Sequence, residues 1–370
     1  MRKALNILLS VMSLLTLAGC DVHEFPEPRR DNVPFLLHLD FDTEMPIYKE
    51  VEYTRSGEEE TKGVATPHDI RYIINAYRTG KMRSDNREAD ATFVFSKSDI
   101  IDLNYTAQLD LPHGTYDLLV WADYVDAGST DDKYYDTSNF PNIVLADREN
   151  HSGSNDYREA FRGHATVTVT DPAYYAGSIV DTIDNQATVE MQRPMGKFKF
   201  ISTDVVAFLS RVAQMMKEYG LLNGLLMNID IDSDTKAAYE MLLQNIDLGE
   251  FYVVMRYNIF MPCEYNMITD KPGDSWTGMS FTSRMFVEND NEMNLGYDYV
   301  FVNGTETTLS VSLEVYNREG KLMSSSNPVN VPIVRSKLTV VKGEFLTSQA
   351  NGGVTIDTNY EGDDYNIQIY

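Results

Sequence analysis

Short stretches in which apolar and polar residues alternate dominate the first half of the chain. In residues 34–42 every second residue is apolar, from Phe35 to Phe41, which predicts a half-buried strand. Six more stretches are rich in β-branched and aromatic residues and are bounded by Gly, Pro, Asp or Asn: 69–79, 91–99, 104–112, 114–125, 164–170 and 186–192. Since no clear helical periodicity separates these stretches, they predict an antiparallel β-sandwich over residues 33–192.

After residue 193 the pattern changes, because a helical periodicity enters. Residues 197–202 predict one strand, and apolar residues at the spacing of one helical face then run from Val205 to Tyr219. A second helical pattern covers 234–246. Strand patterns return at 251–261, 277–287, 306–317, 330–334, 337–343, 352–357 and 365–370. We therefore predict a second β-sandwich over residues 193–370, with a helical insertion at about 203–247.

The first twenty residues have the composition of an export signal. Arg2 and Lys3 precede an apolar run over residues 4–17, which is too short to span a membrane because a transmembrane helix needs about 20 apolar residues. The run closes with Leu17, Ala18, Gly19 and Cys20. This ending resembles the lipobox of bacterial lipoproteins, in which small residues admit the signal peptidase and the cysteine sulfur receives a diacylglyceryl group.

We accordingly predict a signal peptide over residues 1–19, with Leu17, Ala18 and Gly19 recognised by the peptidase. Cys20 is the predicted lipidation site. Residues 20–32 contain prolines and mixed charge with little to bury, which predicts a tether. The alternative is an ordinary signal peptide followed by a chance cysteine.

Composition and charge narrow the classes of function. The chain has 31 basic and 56 acidic residues and a formal net charge of -25 at pH 7, and such a surface repels phosphate, which disfavours nucleic acid as a partner. If Cys20 carries lipid, Cys263 has no partner for a disulfide, and its apolar sequence surroundings indicate a small buried side chain. The six histidines and the carboxylates match no metal, phosphate-binding or catalytic motif. We predict no enzyme activity, no metal and no cofactor apart from the covalent lipid.

Two long polar segments are candidates for surface function. Residues 43–67 show no sustained apolar periodicity, which predicts a loop. Residues 126–142 are predicted to form an acidic and aromatic loop. Because aromatic faces suit sugar rings, the candidate ligand-binding residues in and beside the second loop are Trp121, Tyr124, Tyr134 and Tyr135. The same region holds an acidic cluster, for which a loose calcium contact is the alternative to a solvated loop: Asp123, Asp126, Asp131 and Asp132.

Four stretches together carry a family resemblance: the lipobox at Cys20, the Arg-Pro-Met-Gly-Lys run at 193–197, residues 332–340 followed by Gly343, and the Gly-rich turn and strand over 352–369. They resemble the fimbrillin-like lipoproteins of Bacteroidota, and most of all the anchor or accessory subunits of type V pili. The resemblance implies two tandem transthyretin-like Greek-key β-sandwich domains, a lipid anchor in the outer membrane and exposure at the cell surface.

The same resemblance implies how such a protein is assembled and processed. Subunits of the family pair by donating a strand to a neighbour, which is β-augmentation. Polymerising members are cut by a protease specific for basic residues, and Arg55 and Lys62 in the 43–67 loop are the candidate cleavage sites.

Two hypotheses for the function remain. The first is a structural or adhesive outer-membrane lipoprotein whose second domain presents an open edge or groove to a pilus subunit. The second is a stand-alone surface lipoprotein that binds a glycan or another host ligand through its loop aromatics.

Overall fold

The computed structural model of the protein describes residues 32–42, 67–80, 88–172, 184–218, 236–289, 292–349, 356–357 and 365–369. Over these residues the chain is mainly β and builds several sheets, which confirms the predicted fold class. Neither helix in the described part of the chain has the length and apolarity that crossing a bilayer requires.

In the first half, the described residues form two facing sheets. Their strands are β1 (Asn32–Phe41), β2 (His68–Arg78), β3 (Ala91–Lys97), β4 (Tyr105–Pro112), β5 (Gly114–Asp126), β8 (Ala160–Val169) and β9 (Gln186–Met191), while the short β6 (Tyr135–Asp136) and β7 (Asn142–Leu145) lie outside these two sheets. One sheet has the order β4-β1-β9 and the other β3-β2-β5-β8. β1 is central in its sheet, antiparallel to β4 and parallel to β9. Phe35, Leu37 and Leu39 on β1 are buried between the sheets, as their alternation predicts.

β2 and β5 are covered on both faces, so most of their residues are buried, polar ones such as Arg71 and Asp123 included. One face, with Tyr72 and Leu118, packs against the β4-β1-β9 sheet. The opposite face, with Ile73 and Trp121, belongs to a cluster that also contains residues of the second half such as Met195. A strand buried on two sides favours apolar residues at nearly every position, so the alternation disappears.

The second half begins with β10 (Met195–Ser202) and continues with two helices, α1 (Val205–Glu218) and α2 (Lys236–Asn245). The buried face of α1 includes Phe208, Leu209 and Val212, which are positions of the predicted helical stripe. Both helices precede the next strand, where the sequence predicts an insertion. The later strands are β11 (Phe251–Tyr257), β12 (Met261–Pro262), β13 (Glu264–Asn266), β14 (Lys271–Pro272), β15 (Ser275–Trp276), β16 (Ser280–Ser283), β17 (Phe286–Asn289), β18 (Glu292–Phe301), β19 (Glu306–Asn317), β20 (Leu322–Ser325), β21 (Val329–Val334), β22 (Leu338–Gly343), β23 (Ile356–Asp357) and β24 (Tyr365–Ile369).

The two halves repeat one strand arrangement. β10 lies between the antiparallel β18 and the parallel β22, just as β1 lies between β4 and β9. β11 pairs with β16 and β19, as β2 pairs with β3 and β5. β19 pairs with β21, as β5 pairs with β8. This correspondence indicates two copies of one sandwich in tandem, while the boundary at residue 193 itself stays a prediction.

Backbone hydrogen bonds also cross from one half to the other. β7 pairs with β13 in a small sheet of order β14-β13-β7-β6. The amide of Leu145 donates to the carbonyl oxygen of Cys263 at 2.8 Å. The two sandwiches are therefore joined by a shared sheet in addition to their side-chain contacts.

Candidate functional site

The predicted lipid and cleavage sites lie outside the described residues. They are Leu17, Ala18, Gly19, Cys20, Arg55 and Lys62. β1 begins at Asn32, the last residue of the predicted tether. The roles of these residues stay predictions.

Three of the four candidate aromatic residues lie in the interior and do not form an open surface. Trp121 and Tyr124 are on β5 and Tyr135 is on β6, and all three side chains are buried. The rings of Trp121 and Tyr135 pack edge to face with centroids 5.4 Å apart. Only Tyr134 is partly exposed. Stacking on a sugar needs an accessible ring face, which among these four residues only Tyr134 offers in part, so the ligand-binding loop stays a prediction.

Arg71 on β2 and Lys133 together pair with three of the four residues of the acidic cluster. Its guanidinium donates two hydrogen bonds to the Asp123 carboxylate, at 2.9 and 2.7 Å, and another to Asp132 at 2.8 Å. Lys133 forms an ion pair with Asp126. Burial raises the pKa of Asp123, and the hydrogen bonds and charge of Arg71 oppose that rise. Within the described ranges, no set of three or more His, Cys, Asp or Glu side chains is placed to hold a metal ion.

A buried carboxylate on β18 joins the two sandwiches. Asp298 accepts hydrogen bonds from Arg158 and from the Tyr257 hydroxyl, and its Oδ2 lies 2.6 Å from Nε2 of His151. His151 and Arg158 come from the first half of the chain, whereas Tyr257 and Asp298 come from the second. All four side chains are buried. Removing any charged member would leave its partner charged and desolvated, so this junction quartet ties the halves together.

Within the junction quartet, the pKa values of Asp298 and His151 are both below their ordinary values. Burial alone would raise the pKa of Asp298, but the charge of Arg158 and the hydrogen bonds from His151 and Tyr257 bring it below its ordinary value. Burial and the charge of Arg158 both lower the pKa of His151, and Asp298 only partly opposes them. At neutral pH the quartet therefore holds an ionised aspartate, an arginine and a neutral imidazole.

We expect His151 to make the protein less stable in mild acid. A histidine whose pKa is lower in the folded chain stabilises the fold fully above its unfolded pKa of about 6.5, and this contribution is lost as the pH falls below that value. The free energy of unfolding, measured by urea titration between about pH 7.5 and 5, should fall with decreasing pH and fall less steeply in His151→Gln. His164→Gln, which removes an exposed histidine, is the matched control. Equal slopes in wild type and His151→Gln would contradict this expectation.

Further ion pairs cross the junction. Nζ of Lys197 lies 2.7 Å from Oδ1 of Asp156, and burial lowers the pKa of this lysine while Asp156 opposes the shift. Arg162 of the first half lies 3.6 Å from Asp270, which also accepts two hydrogen bonds from Arg335, at 2.8 and 3.1 Å. Charge pairs with defined geometry fix the orientation of the two sandwiches, because any rotation would break several of them together.

The segment 151–154 packs tightly on the second sandwich. The amide of Ser154 donates to the carbonyl oxygen of Tyr297 at 2.7 Å, and its Oγ lies 2.7 Å from Oγ of Ser283. A Cβ atom on Gly153 would lie 2.3 Å from the ring of Phe281 on β16. Only glycine fits at this contact without a shift of the segment or the ring.

We expect Gly153→Val to weaken the union of the two halves. The added methyl groups overlap the Phe281 ring, and overpacking of this kind costs about 1–3 kcal/mol of unfolding free energy. Urea unfolding monitored by fluorescence would measure the change. Ser152→Val is the matched control, since the neighbouring Ser152 is exposed. Similar losses in both variants would show that the Gly153 contact is not the cause.

Cys263 confirms the prediction of a small buried side chain. It is unpaired and buried, and desolvation raises the pKa of its thiol to about 12. Since the thiolate is the reactive form, this cysteine has no nucleophilic role at neutral pH.

Sequence patterns do not identify the junction quartet. The one available signal is Asp298, an acid among the mostly apolar and aromatic residues 295–302, where a buried carboxylate requires a partner. Its partners Arg158 and His151 come from a polar stretch 140 and 147 residues earlier, which strand periodicity cannot connect to it.

Comparisons with known proteins give one family and several distant structural likenesses. The sequence model of a protein family described as "Family of unknown function (DUF6562)" matches residues 32–370. No curated protein matches the chain. The solved fimbrial anchor protein Mfa2 from Porphyromonas gingivalis is 9% identical with a TM-score of 0.36, over 80% of this chain and 82% of that one. A fimbrial assembly protein from Parabacteroides distasonis is 10% identical with a TM-score of 0.38, over 88% of this chain and 94% of that one. At these TM-scores neither likeness carries an argument about function.

Proposed function

Since the chain belongs to DUF6562, a family of unknown function, we propose a function from its own residues: a lipid-anchored outer-membrane protein with a structural or adhesive role at the cell surface. The observation that carries this proposal is the sequence Leu17-Ala18-Gly19-Cys20 at the end of a short apolar run. It supplies both a cleavage site and the sulfur that receives the lipid.

The anchor is strong enough to hold the protein by itself. Each buried CH2 group contributes about 0.8 kcal/mol to membrane binding, so two or more acyl chains on Cys20 make attachment stable. The tether over residues 20–32 then spaces the folded body from the bilayer.

The folded body has the properties of a rigid structural component. Two sandwiches of the same strand arrangement are joined by the β7–β13 pairing and by the buried junction quartet. Such a body transmits a load between its anchor and a bound partner without bending at a flexible linker. We further propose that this partner is a pilus subunit, which docks by β-strand complementation.

Processing of the chain belongs to the same proposal. Arg55 and Lys62 lie between β1 and β2, so a cut after either residue would leave β1 attached to the body only through noncovalent pairing. β1 is the central strand between β4 and β9, and its departure would both release the body from the lipid and expose a groove lined by the core of the first sandwich. That groove is the size and shape of one strand.

The decisive experiment is fractionation of the native bacterium expressing wild type or Cys20→Ala, combined with intact-mass analysis. We expect wild type in the outer membrane with the mass of a chain that begins at a lipidated Cys20, and Cys20→Ala released into the soluble fraction. Cys263→Ala controls for the loss of a thiol, because Cys263 is buried and unpaired. Full membrane retention of Cys20→Ala would refute the proposal, and the same mass spectra would reveal a cut after Arg55 or Lys62.

The glycan-binding alternative is not proposed, because no observation favours it. Its main aromatic residue, Trp121, is fully buried.

A further inference from the structure

Arg193, which lies two residues after β9, is a buried arginine whose guanidinium contacts the end of β1. Only 2% of its side chain is exposed. Its Nη1 donates a hydrogen bond at 2.9 Å to the carbonyl oxygen of Asp42, the residue directly after β1. Its Nε donates to the carboxylate of Glu159, which is buried as well. Because the ion pair is buried and hydrogen-bonded, it holds the guanidinium in one orientation, with Nη1 directed at Asp42.

Aromatic packing and a backbone bond fix the same end of β1. The guanidinium of Arg193 lies over the ring of Phe161, 4.8 Å from its centroid. That ring packs edge to face against Phe41, the last residue of β1, with centroids 5.0 Å apart. The amide of Asp42 donates to the carbonyl oxygen of Met191 at 3.1 Å. We refer to Arg193 together with Glu159 as the β1 clamp.

The β1 clamp acts where the pairing of β1 with its neighbours is least complete. β1 pairs with β9 as far as Phe41, but its pairing with β4 ends at Leu39. Beyond Leu39, the amide of Phe41 donates to the side chain of Asn104 at 3.1 Å. A cut between β1 and β2 makes this the free end of the strand, and free ends are where a paired segment begins to separate. Arg193 therefore adds its bond at the position from which β1 would leave.

The β1 clamp is also attached to the second sandwich. The carbonyl oxygen of Arg193 accepts a hydrogen bond from Nε of Arg335 at 2.9 Å, and Arg335 pairs with Asp270. The end of β1 is thus bonded, through one arginine, to the region where the two sandwiches meet.

We propose that the β1 clamp keeps β1 in the first sandwich after the chain has been cut, so that a cut protein stays attached to its lipid. This inference rests on the proposed function, in which Cys20 carries the lipid and the cut falls after Arg55 or Lys62. After such a cut, only the noncovalent contacts of β1 join the lipid to the body. The departure of β1, and not the cut, then releases the body, and the β1 clamp slows that departure.

The test separates cutting from release. The recognition sequence of a site-specific protease is inserted between Glu58 and Glu59 of the full lipoprotein, and outer membranes isolated from the native bacterium are treated with that protease. A denaturing gel establishes that the chain is cut, and sedimentation measures with time how much of the body stays with the membrane. We expect the wild-type body to sediment with the membrane after complete cutting.

The variant that removes the β1 clamp combines Arg193→Met with Glu159→Gln, so that no buried carboxylate is left without its counter-ion. Its cut body should leave the membrane about ten to a hundred times faster than wild type, the factor that corresponds to one hydrogen bond to a charged group. The matched control combines Arg71→Met with Asp123→Asn. Arg71 is equally buried, but its bonds go to β5 and to the 126–142 loop.

Three results would overturn the proposal: loss of the wild-type body from the membrane as soon as it is cut, equal release from wild type and the clamp variant, or equally fast release from the Arg71 control. The last result would show that general stability governs release, and a melting curve of each uncut variant measures that stability. If the uncut protein is absent from the membrane, the proposed lipid anchor itself fails. If the uncut protein is bound and only the cut wild-type body leaves, the anchor stands and retention by the β1 clamp is wrong.

Discussion

Replacing Asp298 with asparagine should cost about 3–5 kcal/mol of unfolding free energy, the range expected when one partner of a buried ion pair is removed. The amide has nearly the shape of the carboxylate but carries no charge, so Arg158 stays buried without its counter-ion. Hydrogen bonds from the Tyr257 hydroxyl and the Tyr299 amide also lose a charged acceptor. Urea unfolding at neutral pH, followed by circular dichroism, would measure this loss.

The matched control for Asp298→Asn is Glu250→Gln. Glu250 pairs with Arg318 at the surface, where both side chains are substantially exposed, and exposed pairs contribute at most about 1 kcal/mol. Because the pKa of Asp298 is lower in the folded protein, its contribution is present above its unfolded pKa of about 3.9 and is lost as the pH falls through the folded value. The stability difference between wild type and Asp298→Asn should therefore narrow in strong acid. A loss no larger than that of Glu250→Gln would show that the junction quartet does not hold the halves together.

Replacing Arg71 with methionine should destabilise the first sandwich by a similar amount, about 3–5 kcal/mol. Methionine keeps the length of the side chain but leaves the Asp123 carboxylate buried without its two hydrogen bonds. Asp132 and the carbonyl oxygen of Thr130 lose their bond to the guanidinium as well, so the 126–142 loop loses its main attachment to β2. Thermal and urea unfolding would report the stability, and proteolysis would report loosening of the loop.

The pH dependence of Arg71→Met distinguishes charge from packing. Burial already raises the pKa of Asp123 in wild type, and removing Arg71 takes away the hydrogen bonds and the charge that oppose this rise most strongly. An acid whose pKa is raised by folding destabilises the protein above that pKa and less so as it becomes protonated. The deficit of Arg71→Met should therefore shrink as the pH is lowered from about 8 towards 5. Arg256→Met, at a partly exposed pair with Glu314, is the control, and a deficit that does not change with pH would contradict the charge explanation.

Regular alternation made most of the fold predictable from the sequence. The clearest case is β19, whose predicted range 306–317 is the observed one. The helical stripe of α1 was equally clear, since its positions Val205, Phe208, Leu209 and Val212 are buried. In both elements the apolar residues of one face meet the core, although β19 is also buried on its other face at Ser310 and Ser312.

Strands with an unusual environment were missed for a physical reason. β18 is buried at nine of its ten positions and contains Asn294, Gly296 and Asp298, so it shows neither alternation nor a continuous apolar run. Gly296 has a φ of +139° and lies where the pairing of β10 with β18 shifts register. Asp298 of β18 pairs with His151, Arg158 and Tyr257, which are distant in sequence, and the local residue pattern does not identify such partners.

Local sequence patterns also could not show that most of the candidate aromatic residues are buried. Trp121 lies beside a long polar loop in sequence, which favours a surface role, yet its face of β5 is the one covered by the second sandwich. Periodicity predicts which residues share a face of a sheet but cannot predict which body lies against that face. The lipid-site prediction depends on a local motif instead, and for that reason it needs no knowledge of the fold.

The position of β1 has a mechanical consequence. In the proposed lipid-anchored protein the tether of residues 20–32 joins this strand at Asn32, and β1 runs between β4 and β9 with pairing on both sides. A pull from the membrane acts along the strand axis. The backbone hydrogen bonds on both sides of β1 are then loaded in shear at the same time and do not break one after another. The body should therefore resist detachment under flow best when drawn by its amino-terminal end, a direction that single-molecule stretching can compare with any other attachment point.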